Sequence, residues 1–292
     1  MKLFNLKTSE NTSIYAVANE NGYAEYSKVI SNLDAPLKNF SDFLGYVSEN
    51  FSEVENNLKK LDKKDLTPLD KASFALPLSQ NSKVICVGLN YLEHAKEGFQ
   101  EVPKHPVFFI RLNSSFVADG ENLILPKVSD KYDYEAELAI VIGKQGRHIN
   151  EANAEDYILG YTLANDGSVR DFQKRTPQWT LGKNFDKSGS LGGYIITKDE
   201  LPAKAKGLKV RSYLNGNLMQ DGNTTDMIYD LGFLIAELSK VMTLNVGDVI
   251  LTGTPAGVGF ARDPKVFMKN NDEIIIEIES IGRLKNIVKS EA

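Results

Sequence analysis

Two glutamates, Glu135 and Glu137, lie two positions apart in residues 133–143, a stretch otherwise rich in Ala, Leu, Ile and Val. The stretch has strand composition and is closed by Gly143. Alternate side chains of a strand share a face, which places Asp133, Glu135, Glu137, Ala139 and Val141 on one side. That side begins acidic and ends apolar. At about 3.3 Å per residue the glutamates stand about 6.6 Å apart. Their repulsion there is about 2–3 kcal/mol at an effective dielectric of about 20. A cation between them turns that penalty into binding, and paired carboxylates entering a core have the chemistry of hard-metal ligands. The competing reading is an exposed strand end whose acids are hydrated.

Four further segments put polar groups where a core has no use for them. In Gly88-Leu89-Asn90-Tyr91-Leu92-Glu93-His94-Ala95-Lys96-Glu97, His94 and Glu97 share one face of a short helix. A carboxylate so placed orients an imidazole and tunes a general base near neutral pH; an incidental pair on a surface helix has the same spacing. In residues 160–173 a strand ends at Asn165-Asp166. Asp166 could complete a three-carboxylate set that leaves positions for water and substrate oxygens, as Mg²⁺ prefers. Asn165-Asp166-Gly167 is also simply a good turn. Residues 178–186 hold the only tryptophan, Trp179, and Lys183 among apolar neighbours; that lysine could hold an anion or be merely solvated. The fourth segment, residues 251–259, has glycines and threonines whose backbone N–H groups can meet a carboxylate. It lacks the Gly-Lys-Ser/Thr of a nucleotide-binding P-loop.

These groups need elements to position them. Asn21-Gly22 between Ser13-Ile14-Tyr15-Ala16-Val17 and Tyr23-Ala24-Glu25-Tyr26 predicts a hairpin. Leu37, Phe40, Phe43, Leu44, Val47 and Phe51 recur at helical spacing within residues 37–61. A polar stretch punctuated by Pro68 and Pro77 then marks a boundary near residue 78, between a small module over 1–78 and a larger domain over 79–292. Beyond it, residues 83–88, 106–110, 123–126, 248–252 and 272–278 read as short strands. Residues 151–157 and 227–241 read as helices capped by Asn150 and Asp226. The larger domain is therefore mainly β, with strands too short and scattered for a doubly wound sheet.

The 292 residues are 42% apolar and 25% charged, which is the composition of a globular protein with a sizeable core. A net charge of −5 argues against a nucleic-acid partner. Cys86 is the single cysteine, so an intrachain disulfide is excluded and a reducing compartment fits. The first residues turn polar too soon for a signal peptide, and no apolar run approaches the ~20 residues of a membrane helix. The expectation is a cytoplasmic protein with no membrane partner.

Taken in order, the motifs closely resemble one family. Val87-Gly88-Leu89-Asn90-Tyr91, Asp133-Tyr134-Glu135-Ala136-Glu137-Leu138, Ala164-Asn165-Asp166 with Arg170-Asp171, Gly182-Lys183-Asn184-Phe185-Asp186, Asp221-Gly222-Asn223-Thr224 with Asp226-Met227-Ile228, and Gly247-Asp248-Val249-Ile250-Leu251-Thr252-Gly253-Thr254-Pro255 are similar to the fumarylacetoacetate hydrolase family. The resemblance runs from about residue 80 to the end; residues 1–78 are similar to the variable N-terminal domain of many bacterial members. It implies an α+β, mainly β fold, the family's mixed β-sandwich roll, usually as a homodimer. It makes Glu135, Glu137 and Asp166 ligands of Mg²⁺ or Mn²⁺. His94 and Glu97 match the catalytic dyad, on a segment that closes as a lid in several relatives, and Lys183 matches the lysine beside the metal. Arg170, Gln173 and Thr254 fall where relatives contact a 2-oxo acid. Residues 98–105, with few apolar anchors, read as a mobile lid.

The chain departs from the family pattern at Arg111-Leu112, where many relatives have Lys-Pro, and at Leu191-Gly192-Gly193, where many have prolines. Gly167 stands beside Asp166 in place of a more usual valine. The first two departures are expected near the substrate pocket.

The resemblance implies hydrolysis of a carbon–carbon bond in a 2,4-dioxo acid such as an acylpyruvate. His94, backed by Glu97, would deprotonate a water, and Lys183 would donate to the oxyanion. The alternative keeps the metal and the enolate but attacks with no water. It is decarboxylation of oxaloacetate, or isomerisation or tautomerisation of 2-oxo diacids such as 2-hydroxyhepta-2,4-diene-1,7-dioate. A non-catalytic binder of a metal or a carboxylate is the third reading.

Overall fold

Apolar runs bounded by turns become strands buried on both faces: Ala136–Ile142, Ile158–Asn165 and Val249–Leu251 are buried at every position. The computed structural model describes every residue except 11, 31, 32, 34, 35, 99 and 100. Those three strands lie at the centre of an eleven-stranded sheet. Its main path runs Gly22–Glu25, Ser13–Asn19, Lys2–Lys7, Tyr194–Thr197, Ile158–Asn165, Ala136–Ile142, Val249–Leu251, Val84–Gly88 and Val107–Arg111. Gly189–Leu191 pairs with the end of Ile158–Asn165 and, in parallel, with Phe116–Val117. A second sheet of five strands is ordered Asn217–Asn223, Lys209–Leu214, Glu273–Ile278, Gly282–Ser290 and Asn122–Leu125.

The large sheet has a core on each face, because its central strands alternate two sets of apolar side chains. Leu138, Ile140 and Ile142 pack with Ile274 and Ile276 of the second sheet and with Leu234 and Leu238 of the helix Leu231–Val241. Ala139 and Val141 pack with Leu3 and with Phe43, Leu44 and Val47 of the helix Phe40–Glu49. The molecule is α+β and mainly β, a mixed β-sandwich, as its sequence indicates.

Most expected elements are present. The hairpin around Asn21-Gly22 pairs Ala18 with Tyr23, and residues 37–61 hold two helices, Phe40–Glu49 and Phe51–Lys60. Three readings need correction. Residues 151–157 form a 3₁₀ turn, although Asn150 does cap it, accepting from Ala152 N–H at 2.9 Å. The later helix starts at Leu231 and is capped by Asp230, not Asp226, which belongs to a separate 3₁₀ turn, Thr224–Asp226. The acidic strand is broken: Tyr132–Asp133 and Ala136–Ile142 are separate, and Glu135 lies between them. The boundary near residue 78 falls where sheet and core are continuous, since Lys2–Lys7 pairs with Tyr194–Thr197. Among the described residues no helix is long and apolar enough to cross a membrane.

Candidate active site and metal centre

Antiparallel pairing of Ile158–Asn165 with Ala136–Ile142 sets Asn165 opposite Ala136 and Ala164 opposite Glu137. The end of one strand therefore meets the start of the other. Asp166 N–H donates to Glu135 O at 3.0 Å, and Asn165 Oδ1 accepts from Glu135 N–H at 3.0 Å. The break at Tyr134-Glu135 and this clasp bring one carboxylate oxygen each from Glu135, Glu137 and Asp166 within 4.8 Å of one another. All three residues are buried.

Like charges this close need compensation. Lys183, 1% exposed, lies 2.8 Å from Glu135 Oε2 and 2.7 Å from Asp166 Oδ2. Arg170 Nη1 is 2.7 Å from Glu135 Oε1, and Arg111 Nη1 donates to Asp166 Oδ1 at 2.5 Å. Glu137 differs: Gly253 N–H donates to its Oε2 at 2.8 Å, and no cation pairs with it among the described residues. Burial alone would raise the Glu135 carboxyl, but Lys183 and Arg170 outweigh it and bring it down to about 2. Burial raises Glu137, and Asp166 and Glu135 push it further up. Three convergent carboxylates, one lacking a counter-charge, are a donor set that fits a divalent ion with oxygen ligands.

Beside this cluster opens a cavity of about 140 Å³, lined by Val87, His94, Phe109, Trp179 and Phe260 with Glu135, Glu137, Arg170, Gln173, Lys183 and Thr254. It is well below the ~300 Å³ of the smallest drug-sized pockets, so it suits a small acid. His94 and Glu97 lie on the helix Leu92–Glu97, with Nδ1 and Oε1 2.7 Å apart. Gly257 N–H donates to the other Glu97 oxygen at 2.8 Å. Nδ1 is thereby occupied, leaving Nε2 as the atom for proton exchange. Arg170 Nε donates to Asp133 at 2.8 Å and Nη1 to Gln173 Oε1 at 2.9 Å, while its Nη2 is buried without a partner.

The site residues expected from the sequence converge here, several with different tasks. Lys183 directs its ammonium at Glu135 Oε2, Asp166 Oδ2 and Asp166 O, contacts that engage its three donors. No donor is left for an oxyanion. Thr254 lines the cavity, yet its hydroxyl donates to Ala136 O and accepts from Gln220 Nε2. The glycine-rich loop presents N–H groups to carboxylates as expected, but these are the protein's own. Gly253, Gly257 and Gly259 bond Glu137, Glu97 and Asp133.

Neither Arg111 nor Leu191-Gly192-Gly193 lines the cavity, which corrects their expected place at the substrate. Arg111 is 3% exposed and lies behind Asp166. Gly167 is required by close approach: a Cβ there would stand 1.9 Å from Ser188 O. Asp133, on the acidic face but assigned no role from sequence, accepts from Tyr134, Gly259 and Phe260 N–H groups and from Arg170. Its exact two-residue offset from Glu135 was the available signal. Of the expected lid, residues 99 and 100 lie outside the described residues; Pro103 O accepts from the Tyr229 hydroxyl at 2.5 Å.

The family model described as fumarylacetoacetate (FAA) hydrolase, C-terminal, matches residues 83–289. The mitochondrial oxaloacetate tautomerase Fahd2a of Rattus norvegicus is 44% identical over 224 residues, 76% of this chain and 71% of the relative. Among solved structures, a fumarylacetoacetate hydrolase from the psychrophile Exiguobacterium antarcticum superimposes with a TM-score of 0.83, at 31% identity and over 100% of both chains. A 2-hydroxyhepta-2,4-diene-1,7-dioate isomerase from Mycobacterium marinum gives 0.74 at 30% identity, over 100% of this chain and 99% of that one.

Proposed function

The chain belongs to the fumarylacetoacetate hydrolase family, and from that premise we propose that it is a tautomerase of short 2-oxo diacids of the oxaloacetate type. The observation that carries this reading is the 44% identity with an oxaloacetate tautomerase over 224 residues, 76% of this chain. Read alone, the sequence ranks acylpyruvate hydrolysis first; the relatives favour its alternative, and the proposal follows them.

A Mg²⁺ or Mn²⁺ ion held by Glu135, Glu137 and Asp166 would supply electrophilic charge beside the substrate oxygens. The remaining chemistry belongs to side chains. Arg170, with Gln173 holding its Nη1, takes the carboxylate next to the 2-oxo group. His94 Nε2 takes the C3 proton of the keto form, and the imidazolium so formed, or water in exchange with it, gives a proton to the 2-oxygen, so that the enol forms with no net change in protons. The reverse path returns it to C3. Glu97 fixes the imidazole tautomer and stabilises its charged form. Phe109 and Trp179 close the apolar wall, with ring centroids 5.4 Å apart.

Enol absorbance of oxaloacetate, followed with Mg²⁺ and with excess chelator, tests the reading. Metal-dependent acceleration of ketonisation without loss of the four-carbon acid supports it; absence of acceleration overturns it. Hydrolysis is the second reading because the His94–Glu97 dyad is also equipped to deprotonate water. Equimolar pyruvate and acetate from acetylpyruvate would put it first. The proposal includes a homodimer, supported by Ile110, Leu112 and Leu181, 57%, 56% and 59% exposed. Light scattering at a monomeric mass would remove that part.

A further inference from the structure

Lys174 lies just past the helical turn Arg170–Gln173, and its N–H closes that turn on Arg170 O at 3.1 Å. Arg170 and Lys174 are thus four positions apart on one face, about 6 Å along the axis. Both touch the same ring: the Arg170 guanidinium carbon and the Lys174 Nζ lie 4.5 and 4.2 Å from the centroid of Phe260. All three residues line the cavity.

Their charges are satisfied very differently. Arg170 pairs with Asp133 and Glu135. Lys174, exposed over part of its length at the cavity mouth, makes no ion pair among the described residues. The charged groups around it are Arg170 and Lys265, which repel it, and Asp133, whose oxygens already serve Arg170 and three backbone N–H groups. An unpaired ammonium, held over an aromatic face beside two further cations, is a place for an anion to enter.

We propose that Lys174 determines specificity in this site by holding the distal carboxylate of a 2-oxo diacid whose other carboxylate is taken by Arg170. The inference rests on the tautomerase reading and narrows its substrate to dianions. An acylpyruvate would place an apolar acyl group against the ammonium and leave it unpaired.

The non-reacting 2-hydroxy acids malate and lactate differ by that one distal carboxylate. Calorimetry on the Mg²⁺-saturated protein should find malate bound about tenfold or more tighter than lactate, the size of one favourable charge pair. Lys174→Met should erase the difference by weakening malate alone, and Lys174→Arg should keep it. In turnover, Lys174→Met should raise KM for oxaloacetate more than it lowers kcat. Equal loss of both ligands in Lys174→Met, unchanged malate affinity, or no malate binding by the wild-type protein would each overturn the proposal. These binding arms need no turnover. Lys174-dependent discrimination in a protein without tautomerase activity would remove the functional reading; activity with Lys174-independent binding would remove only this one.

Discussion

Arg111 uses every donor of its guanidinium on the protein: Nε on Ser115 Oγ, Nη1 on Asp166 and Gly167 O, Nη2 on Ser115 O and Ser188 Oγ. It therefore acts as the rear support of the buried Asp166 carboxylate. Removing one partner of a buried ion pair costs about 3–5 kcal/mol. Arg111→Met should lower unfolding stability by that amount in urea titration, and Arg111→Lys should fall between, because a point charge cannot reproduce the fork. A loss under about 1 kcal/mol for Arg111→Met would contradict the support role. His94→Ala makes the complementary case. Turnover should drop at least about a hundredfold, while stabilisation by added Mg²⁺ persists, since His94 is not among the three carboxylates. The pairs Glu135/Glu137 and His94/Glu97 are visible along the chain because each spans only two or three positions, whereas Asp166 reaches the glutamates through the strand pairing that sets Asn165 opposite Ala136. Arg111 was noticed yet misplaced, for arginine is rarely buried and its partners lie up to 77 positions away. Gly167 was likewise visible as a departure, but its reason is Ser188 O, reached only through the fold.

At the scale of elements, the helix Leu231–Val241 shows how a cap is selected. Asp226 and Asp230 both precede the apolar run, and spacing alone does not separate them. Asn90 separates them: its Oδ1 accepts from Tyr229 N–H and its backbone O from Ile228 N–H, holding residues 228–229 in a bend outside the helix. The helix can then begin only after Asp230, whose Oδ1 accepts from Phe233 N–H at 2.9 Å. Asp230→Ala should lower stability by about 1 kcal/mol, the usual value of such a cap. Burial opposes the charge of Asp230, but the Phe233 N–H and Lys204 outweigh it and lower its carboxyl below the ordinary value. A lowered folded pKa means that the contribution is present above the ordinary carboxylate range and is lost as pH falls through the folded value. Wild type and Asp230→Ala should therefore differ in thermal unfolding at pH 7 and converge at low pH. A constant difference across that range would assign the effect to something other than the carboxylate. Strands were legible by composition and their ends were not, since the break at Glu135 is imposed by the clasp with Asn165 and Asp166.

The whole molecule places one constraint on the site that composition along the chain hides. Polar residues and two prolines near position 78 read as a boundary, and the family match also begins at residue 83. Yet the first strand, Lys2–Lys7, is an interior strand of the large sheet, between Ser13–Asn19 and Tyr194–Thr197. Leu3, Phe43, Leu44 and Val47 are fully buried against Ala139, Val141 and Val249. Strand pairing across 190 positions has no local signature, so composition along the chain does not show that residues on both sides of position 78 share one sheet. The consequence reaches the chemistry, because Val141 and Ala139 are on the strand that carries Glu137. A chain comprising residues 79–292 would expose that core face and turn Tyr194–Thr197 into an unprotected edge, a template for aggregation. It should show no cooperative thermal transition, and added Mg²⁺ should not restore one, whereas the full chain should unfold cooperatively at a midpoint that rises with Mg²⁺. Were the shorter chain to unfold at the full chain's midpoint, the shared core would be dispensable, and the acidic trio would owe its geometry to the larger segment alone.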